Sequence, residues 1–337
     1  MTRIATAFFF CLLLAGNLFA QTTITLSSWV PPTTLMHREL AVPWAAAVEA
    51  ASQGRIKVVI PPKGVASPPG HFDAVRDGLA DVTYNIHGYV PGRFKLTKLP
   101  ELPFQSDSAE ALSVAYWRIH EKYLAQAGEH KGYKVLALFT HGPGNVYTTR
   151  KTITTMADFS GLKFRVGGGV VNDVAQLIGA QPVLKPAPES YELLSSGVVD
   201  GVFFPAESVE SLRLEKLIQH GLIFPGGLYN TSFVFFMNEA VFNKMSKADQ
   251  DAIMSVSGEN LSRAMGRAWD ARDRAAEAVF KAQNMQTSTA SPALMAQIKS
   301  KTSAMESDWI KESTAKGLDG AKVLAEFKRE VQRAQAR

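Results

Sequence analysis

The sequence predicts an α/β protein of two lobes with a long helix lying across both, and three observations carry that reading. Short β-like runs alternate with stretches of helical spacing along most of the chain. One helix-to-strand joint, Ala74–Asp81, returns as Leu193–Asp200 about 120 residues later: a helix ends in glycine, then come an apolar step, an aspartate and a strand. From Ser246 to about Ala282 the helical period runs on without proline. Roughly 35 residues of helix cover about 50 Å at 1.5 Å per residue, more than one lobe.

The elements follow in order. Thr23–Ser28 is expected as a strand, and Leu40, Trp44, Val48 and Ala51 set a helix over Met36 to Ser52. Ile56–Ile60 is the next strand, stopped by Pro61-Pro62. A helix near Phe72–Asp77 leads into a strand at Asp81–Asn85. Then come a helix over Ala109–Ala125, strands at Lys134–Phe139 and Leu162–Val166, and a helix from Val171 to Ile178. Thr231–Met237 is strongly apolar and β-like. Ser246-Lys247-Ala248-Asp249 resembles a capping box at the start of the long helix, and a last polar helix begins near Lys316.

Residues 1–20 have the layout of a secretory leader: Arg3 alone is charged, Ile4 to Leu18 is almost wholly apolar, and cleavage is expected after Ala20. The apolar run is short for a bilayer span, though a retained anchor is the alternative. Cys11 does not sit in a lipoprotein cleavage pattern. Removal of the leader from 337 residues leaves 317, and the single cysteine leaves with it. The remaining chain then has no disulfide, cysteine nucleophile or cysteine metal site, and with 46% hydrophobic residues it must rely on its core. The net charge of +5, or +4 without Arg3, is spread along the chain. Nucleic acid is not expected as a partner, because no basic stripe with interleaved aromatics occurs. A mildly basic surface suits anionic ligands.

The segment Gly161–Gly169 runs as a strand into three glycines and then a helix. Free N–H groups at a helix start favour an anion, and Gly167 and Gly168 permit close approach. Arg165 near the strand end offers a bidentate clamp for a carboxylate; the alternative is a surface arginine beside a flexible turn. A dinucleotide site is not expected, since Asn172 stands where the third glycine is needed and the expected compartment is wrong for it. Adjacent Phe203 and Phe204 face opposite sides of a strand, so at least one belongs to the core and the other is free to line a pocket. The seven histidines show no metal-ligand spacing, and no G-x-S-x-G elbow appears. No metal, cofactor or catalytic residue is expected.

Several segments in series resemble the solute-binding subunits of tripartite ATP-independent periplasmic (TRAP) transporters, the DctP type. They are Ser28-Trp29-Val30-Pro31-Pro32, Ser52–Val58, Asp77–Asp81, Leu102-Pro103-Phe104, Gly161–Val166, Gly179–Val183 and Glu189–Leu194 through Gly197–Gly201. The resemblance implies a two-lobed periplasmic-binding-protein fold (class II-like), with interlaced segments and a helix spanning both lobes. The expected division is lobe I over 21–145 with a return segment about 232–265, lobe II over 146–231 with part of the C-terminal helices, the spanning helix over 246–282, and C-terminal helices over 283–337. The implied function is capture of a small organic acid in the periplasm for TRAP membrane permease subunits. In the family the arginine of the Lys-x-Arg-Val strand meets the ligand carboxylate, which is Arg165 here. Members that bind sialic acid carry a second arginine near the position of Asn145, and an asparagine where this chain has Phe204. These departures point to a monocarboxylate with an apolar or aromatic body, such as a 2-oxo or 2-hydroxy acid. Trp29, Asn85, His87, Tyr147 and Tyr229 fall near segments that face the cleft in relatives. A periplasmic enzyme acting on a small acid, and a receptor that reports to a signalling partner, are the alternatives.

Overall fold

The computed structural model describes residues 21–336, so the expected leader lies outside the described residues. The first lobe begins with β1 (Thr22–Ser27), α1 (Val42–Ala51), β2 (Ile56–Val59), α2 (His71–Arg76), β3 (Val82–Ile86), α3 (Ala109–Ile119) and β4 (Tyr133–Thr140). The chain then crosses to the second lobe for β5 (Asn145–Thr148), β6 (Lys163–Val166), α4 (Val170–Leu177), β7 (Gln181–Leu184), α5 (Ser190–Ser195), β8 (Gly201–Phe204), α6 (Ala206–Ser211) and β9 (His220–Ile223). It returns with β10 (Ser232–Asn238), α7 (Glu239–Lys244), α8 (Lys247–Ser255) and α9 (Gly258–Ala282). Finally β11 (Gln286–Thr289) joins the second sheet, followed by α10 (Pro292–Thr302), α11 (Ala304–Ala315) and α12 (Gly320–Gln335).

The two sheets run β2-β1-β3-β10-β4 and β11-β9-β5-β8-β6-β7. In each, the strand that arrives from the other lobe's side of the chain, β10 or β5, pairs antiparallel with both neighbours. Both faces of each sheet are covered, which explains the continuous apolar runs. Along β10, Phe233, Phe235 and Met237 enter one core while Val234 and Phe236 enter the other. Along β8, Phe203 and Phe204 divide in the same way.

The repeated joint has the same hydrogen bonds in both lobes. Gly78 and Gly197 take left-handed φ values of 78° and 71° after their helices. Asp81 accepts from the Thr25 amide at 2.7 Å and donates its own amide to the Thr25 carbonyl at 2.9 Å. Asp200 does the same with Lys163, at 2.8 Å for both bonds. Each aspartate thus pins its strand to the parallel neighbour.

The helix expected over 246–282 is two helices. The chain turns at Val256–Gly258, where Gly258 has a φ of 72° and the Ser257 hydroxyl bonds back to the Ile253 carbonyl and accepts from Trp44. α9 alone, with 25 residues, is about 37 Å long and still spans the lobes. Met265 and Trp269 pack in the first lobe, while Ala276 and Phe280 pack in the second. Gly266 permits close contact with α3, since a Cβ there would lie 2.4 Å from the Glu110 Cα. Asp270 caps α3 through the Ala109 and Glu110 amides. The crossings at 141–144 and 224–231 are stitched together by backbone bonds between Gly144 and both Leu228 and Tyr229.

Candidate ligand site

β6 places Arg165 at the seam between lobes. Its register beside Val183 and Val202 turns the side chain into a cavity that the first lobe closes from the other side. The guanidinium is 2% exposed. Its Nε donates to the Lys185 carbonyl at 2.8 Å, Nη2 lies 3.5 Å from the Tyr89 hydroxyl, and Cζ sits 4.3 Å from the centre of the Phe204 ring. Among the described residues no carboxylate lies within ion-pair distance of it. Burial pushes its pKa below the ordinary value, but an arginine side chain stays protonated in proteins. The result is a buried cation with an aromatic floor and no carboxylate partner among the described residues.

The cavity is small, about 60 Å³. Trp29, Leu35, Met36 and Phe233 supply apolar wall from the first lobe, Phe204 and Leu212 from the second, and Tyr229 and Trp269 from a crossing and the spanning helix. Trp29 is fixed by its indole N–H to the Tyr84 carbonyl at 2.8 Å. The Trp269 indole N–H is buried without a partner among the described residues. His141 faces Tyr229 edge-on at 5.5 Å, and burial holds its pKa at about 4, so the ring is neutral. Glu207 is the acidic residue of the lining; burial pushes its pKa up to about 7, and it accepts from the Ser208 hydroxyl at 3.1 Å.

Of the residues expected from sequence, Arg165, Gly167, Phe204, Trp29 and Tyr229 meet on this cavity. The other six lie elsewhere for definite reasons. Phe203 takes the opposite face of β8 and packs against Phe164 at 5.1 Å. Asn145 spends its amide on the Pro143 carbonyl and its carbonyl on the Phe224 amide, joining the two crossings. Tyr147 points into the second-lobe core against Phe280. Asn85 bonds to Pro68 and to the Ile86 amide. His87 contacts Ser232 and His130, and burial lowers its pKa to about 3. Gly168 meets Gly88 of the first lobe, where a Cβ would lie 2.1 Å from the Gly88 oxygen.

Sequence reasoning missed Tyr89, His141, Glu207 and Trp269. Tyr89 reaches across the seam and accepts from the Ala187 amide at 2.9 Å. No local motif marks these residues; they converge because a crossing and a spanning helix bring them in. Among the described residues, no helix is long and apolar enough to cross a membrane.

The family model for bacterial extracellular solute-binding protein, family 7 (DctP) matches residues 26–312. A TRAP periplasmic solute-binding protein from Bordetella bronchiseptica, solved with bound (R)-mandelate and (S)-mandelate, is 47% identical, with a TM-score of 0.91 over 93% of this chain and 99% of its own. A marine-metagenome TRAP protein specific for aromatic acid ligands, solved with 3-hydroxybenzoate, is 34% identical, with a TM-score of 0.86 over 93% of this chain and 98% of its own. A TRAP solute-binding protein from Rhodoferax ferrireducens T118, solved with copurified benzoate, is 29% identical; its TM-score is 0.87 over 94% of this chain and 99% of its own.

Proposed function

The chain belongs to the DctP family of bacterial extracellular solute-binding proteins, and from that membership we propose that it captures a small aromatic monocarboxylate between its lobes for a TRAP membrane permease. The observation that carries the reading is the Arg165 guanidinium, buried over Phe204 with no carboxylate of the described residues beside it. Leaving a cation unpaired in a closed interior costs several kcal/mol, and an entering carboxylate offsets that cost. The apolar and aromatic walls then receive the body of the acid, in line with the mandelate, 3-hydroxybenzoate and benzoate held by the similar structures.

Three further parts belong to the same proposal. Residues 1–20 act as an export leader, so the protein works in the periplasm. The lobes divide near 145 and 231. The acid is released unchanged rather than converted.

A thermal-shift panel tests the reading. Benzoate and mandelate should raise the melting temperature, since a ligand at about 100 times its dissociation constant stabilises by roughly 2.7 kcal/mol. Succinate and galactonate should leave it unmoved. Stabilisation by the dicarboxylate or the sugar acid alone overturns the proposal, and any product after incubation with the bound acid overturns its non-catalytic part.

A further inference from the structure

The lobes meet at a second place, at the glycine turn that follows the Arg165 strand. Glu101 belongs to the first lobe, in the 3-10 segment Leu96–Glu101, and is 2% exposed. One carboxylate oxygen accepts from the Ser232 amide at 3.0 Å and from the Ser232 hydroxyl at 2.5 Å. The other crosses the seam and accepts from the Val170 amide at 3.0 Å, the first residue of α4 in the second lobe. An anion at that place satisfies an unpaired helix N–H and faces the positive end of the helix. Beside it the backbones of the two lobes touch. A Cβ on Gly88 would lie 2.6–2.7 Å from the Gly168 carbonyl group and the Gly169 nitrogen, and one on Gly169 would lie 2.4 Å from the Glu101 carboxylate. Lys98 adds an ion pair to Asp173 of α4 at 3.1 Å, at the wet rim.

Glu101 is held from behind. With the Ser232 hydroxyl donating to Glu101, its lone pair accepts from His87 Nδ1 at 2.9 Å. His87 Nε2 is then the acceptor for His130 Nε2 at 2.9 Å. His87 is buried and His130 half-buried, and both rings are neutral, which suits this one-directional chain. The chain fixes the carboxylate at the seam and leaves one oxygen for the other lobe.

We propose that Glu101 is a positioning residue for ligand capture: its bond to α4, together with the Gly88–Gly168 backbone contact, latches the lobes shut and sets the affinity for every acid the cavity accepts. The proposal rests on the receptor reading above, and its signature differs from that of a residue touching ligand. A latch changes only the fraction of protein able to close, so all ligands weaken by one common factor and their ratios stay fixed.

Two variants test it by calorimetric titration with benzoate and (R)-mandelate. Glu101→Gln should weaken both about tenfold, the size of one charge-assisted hydrogen bond. Gly88→Ala should weaken both by about ten- to a hundredfold through overpacking at the seam. The added methyl's nearest neighbours are all in the second lobe and Gly88 has no left-handed φ, so each lobe should fold as before and the far-ultraviolet circular dichroism should match the wild type. X-ray scattering should show less contraction of both variants on adding acid than of the wild type. Unchanged affinities, or factors that differ between the two acids, overturn the latch. Should the wild type bind neither acid, the receptor reading for aromatic acids fails by itself. The latch is then judged on ligand-free protein: Gly88→Ala must have the larger radius of gyration, and equal radii overturn it.

Discussion

The Arg165 guanidinium lies 4.3 Å above the centre of the Phe204 ring, on adjacent parallel strands of the second lobe. The ring face is the negative side of an aromatic quadrupole, so it supports the cation without neutralising it. Phe204 thereby performs two tasks. It steadies the charge for an incoming carboxylate and presents apolar surface to what the carboxylate is attached to. An asparagine in its place offers polar contacts instead.

Replacing Arg165 separates binding from folding. Arg165→Met should weaken aromatic acids by about 2–5 kcal/mol in calorimetry, the usual loss when one partner of a buried charge pair is removed. The ligand-free melting temperature should stay level or rise, because the variant no longer buries an unpaired cation. Unchanged affinity, or a large loss of ligand-free stability, contradicts this assignment.

Phe204→Asn should move the ligand preference toward polar, hydroxylated acids. Competition between benzoate and galactonate reads the change directly. If benzoate keeps its full advantage, the Phe204 ring serves only the second-lobe core.

Asn230 ties the crossings together by donating to the His141 and Gly142 carbonyls at 3.0 and 2.9 Å. Asn230→Ala leaves both without this donor, at an expected cost of about 1–3 kcal/mol in urea denaturation. A stability unchanged within error shows that the crossings are held by their backbone bonds alone.

His120 supplies a pH test with one clear cause. Burial lowers its pKa from 6.5 to about 4, so the folded protein resists the proton that the unfolded chain accepts. The penalty is absent above about pH 6.5 and grows as the pH falls toward 4, at up to about 1.4 kcal/mol per pH unit. Glu207, raised to about 7, has the opposite slope below that value, so the comparison must be made by difference. The stability of His120→Phe relative to wild type should improve by about 2 kcal/mol between pH 7 and pH 5. A difference that does not vary with pH contradicts it.

The sequence carried the architecture well where signals were local. The glycine–aspartate joint announced two related lobes, and its hydrogen bonds at Asp81 and Asp200 are the same. Proline-free periodicity announced the spanning helix but hid the turn at Ser257, because one serine and one glycine do not break an apolar stripe. The strand that runs into glycines marks Arg165 but leaves a surface role open, and alternation does not say which phenylalanine lines a pocket; the family resemblance singles out Arg165 and Phe204. Asn145 and His87 lie off this cavity because polar residues beside a cleft have two uses, and here backbone groups and a second histidine engage them. Trp269 and Tyr89 were invisible for a different reason. Their position depends on which helix crosses and how far the lobes close, and neither is written in the neighbouring residues.

The central claim concerns the charge of the ligand, and one pair of titrations addresses it. Benzoate and benzamide have nearly the same shape, but only benzoate brings an anion to the guanidinium under the seam. Wild-type protein should bind benzoate roughly a hundredfold more tightly than benzamide. Equal affinity for the two would contradict the account, because the buried cation would then have no part in capture.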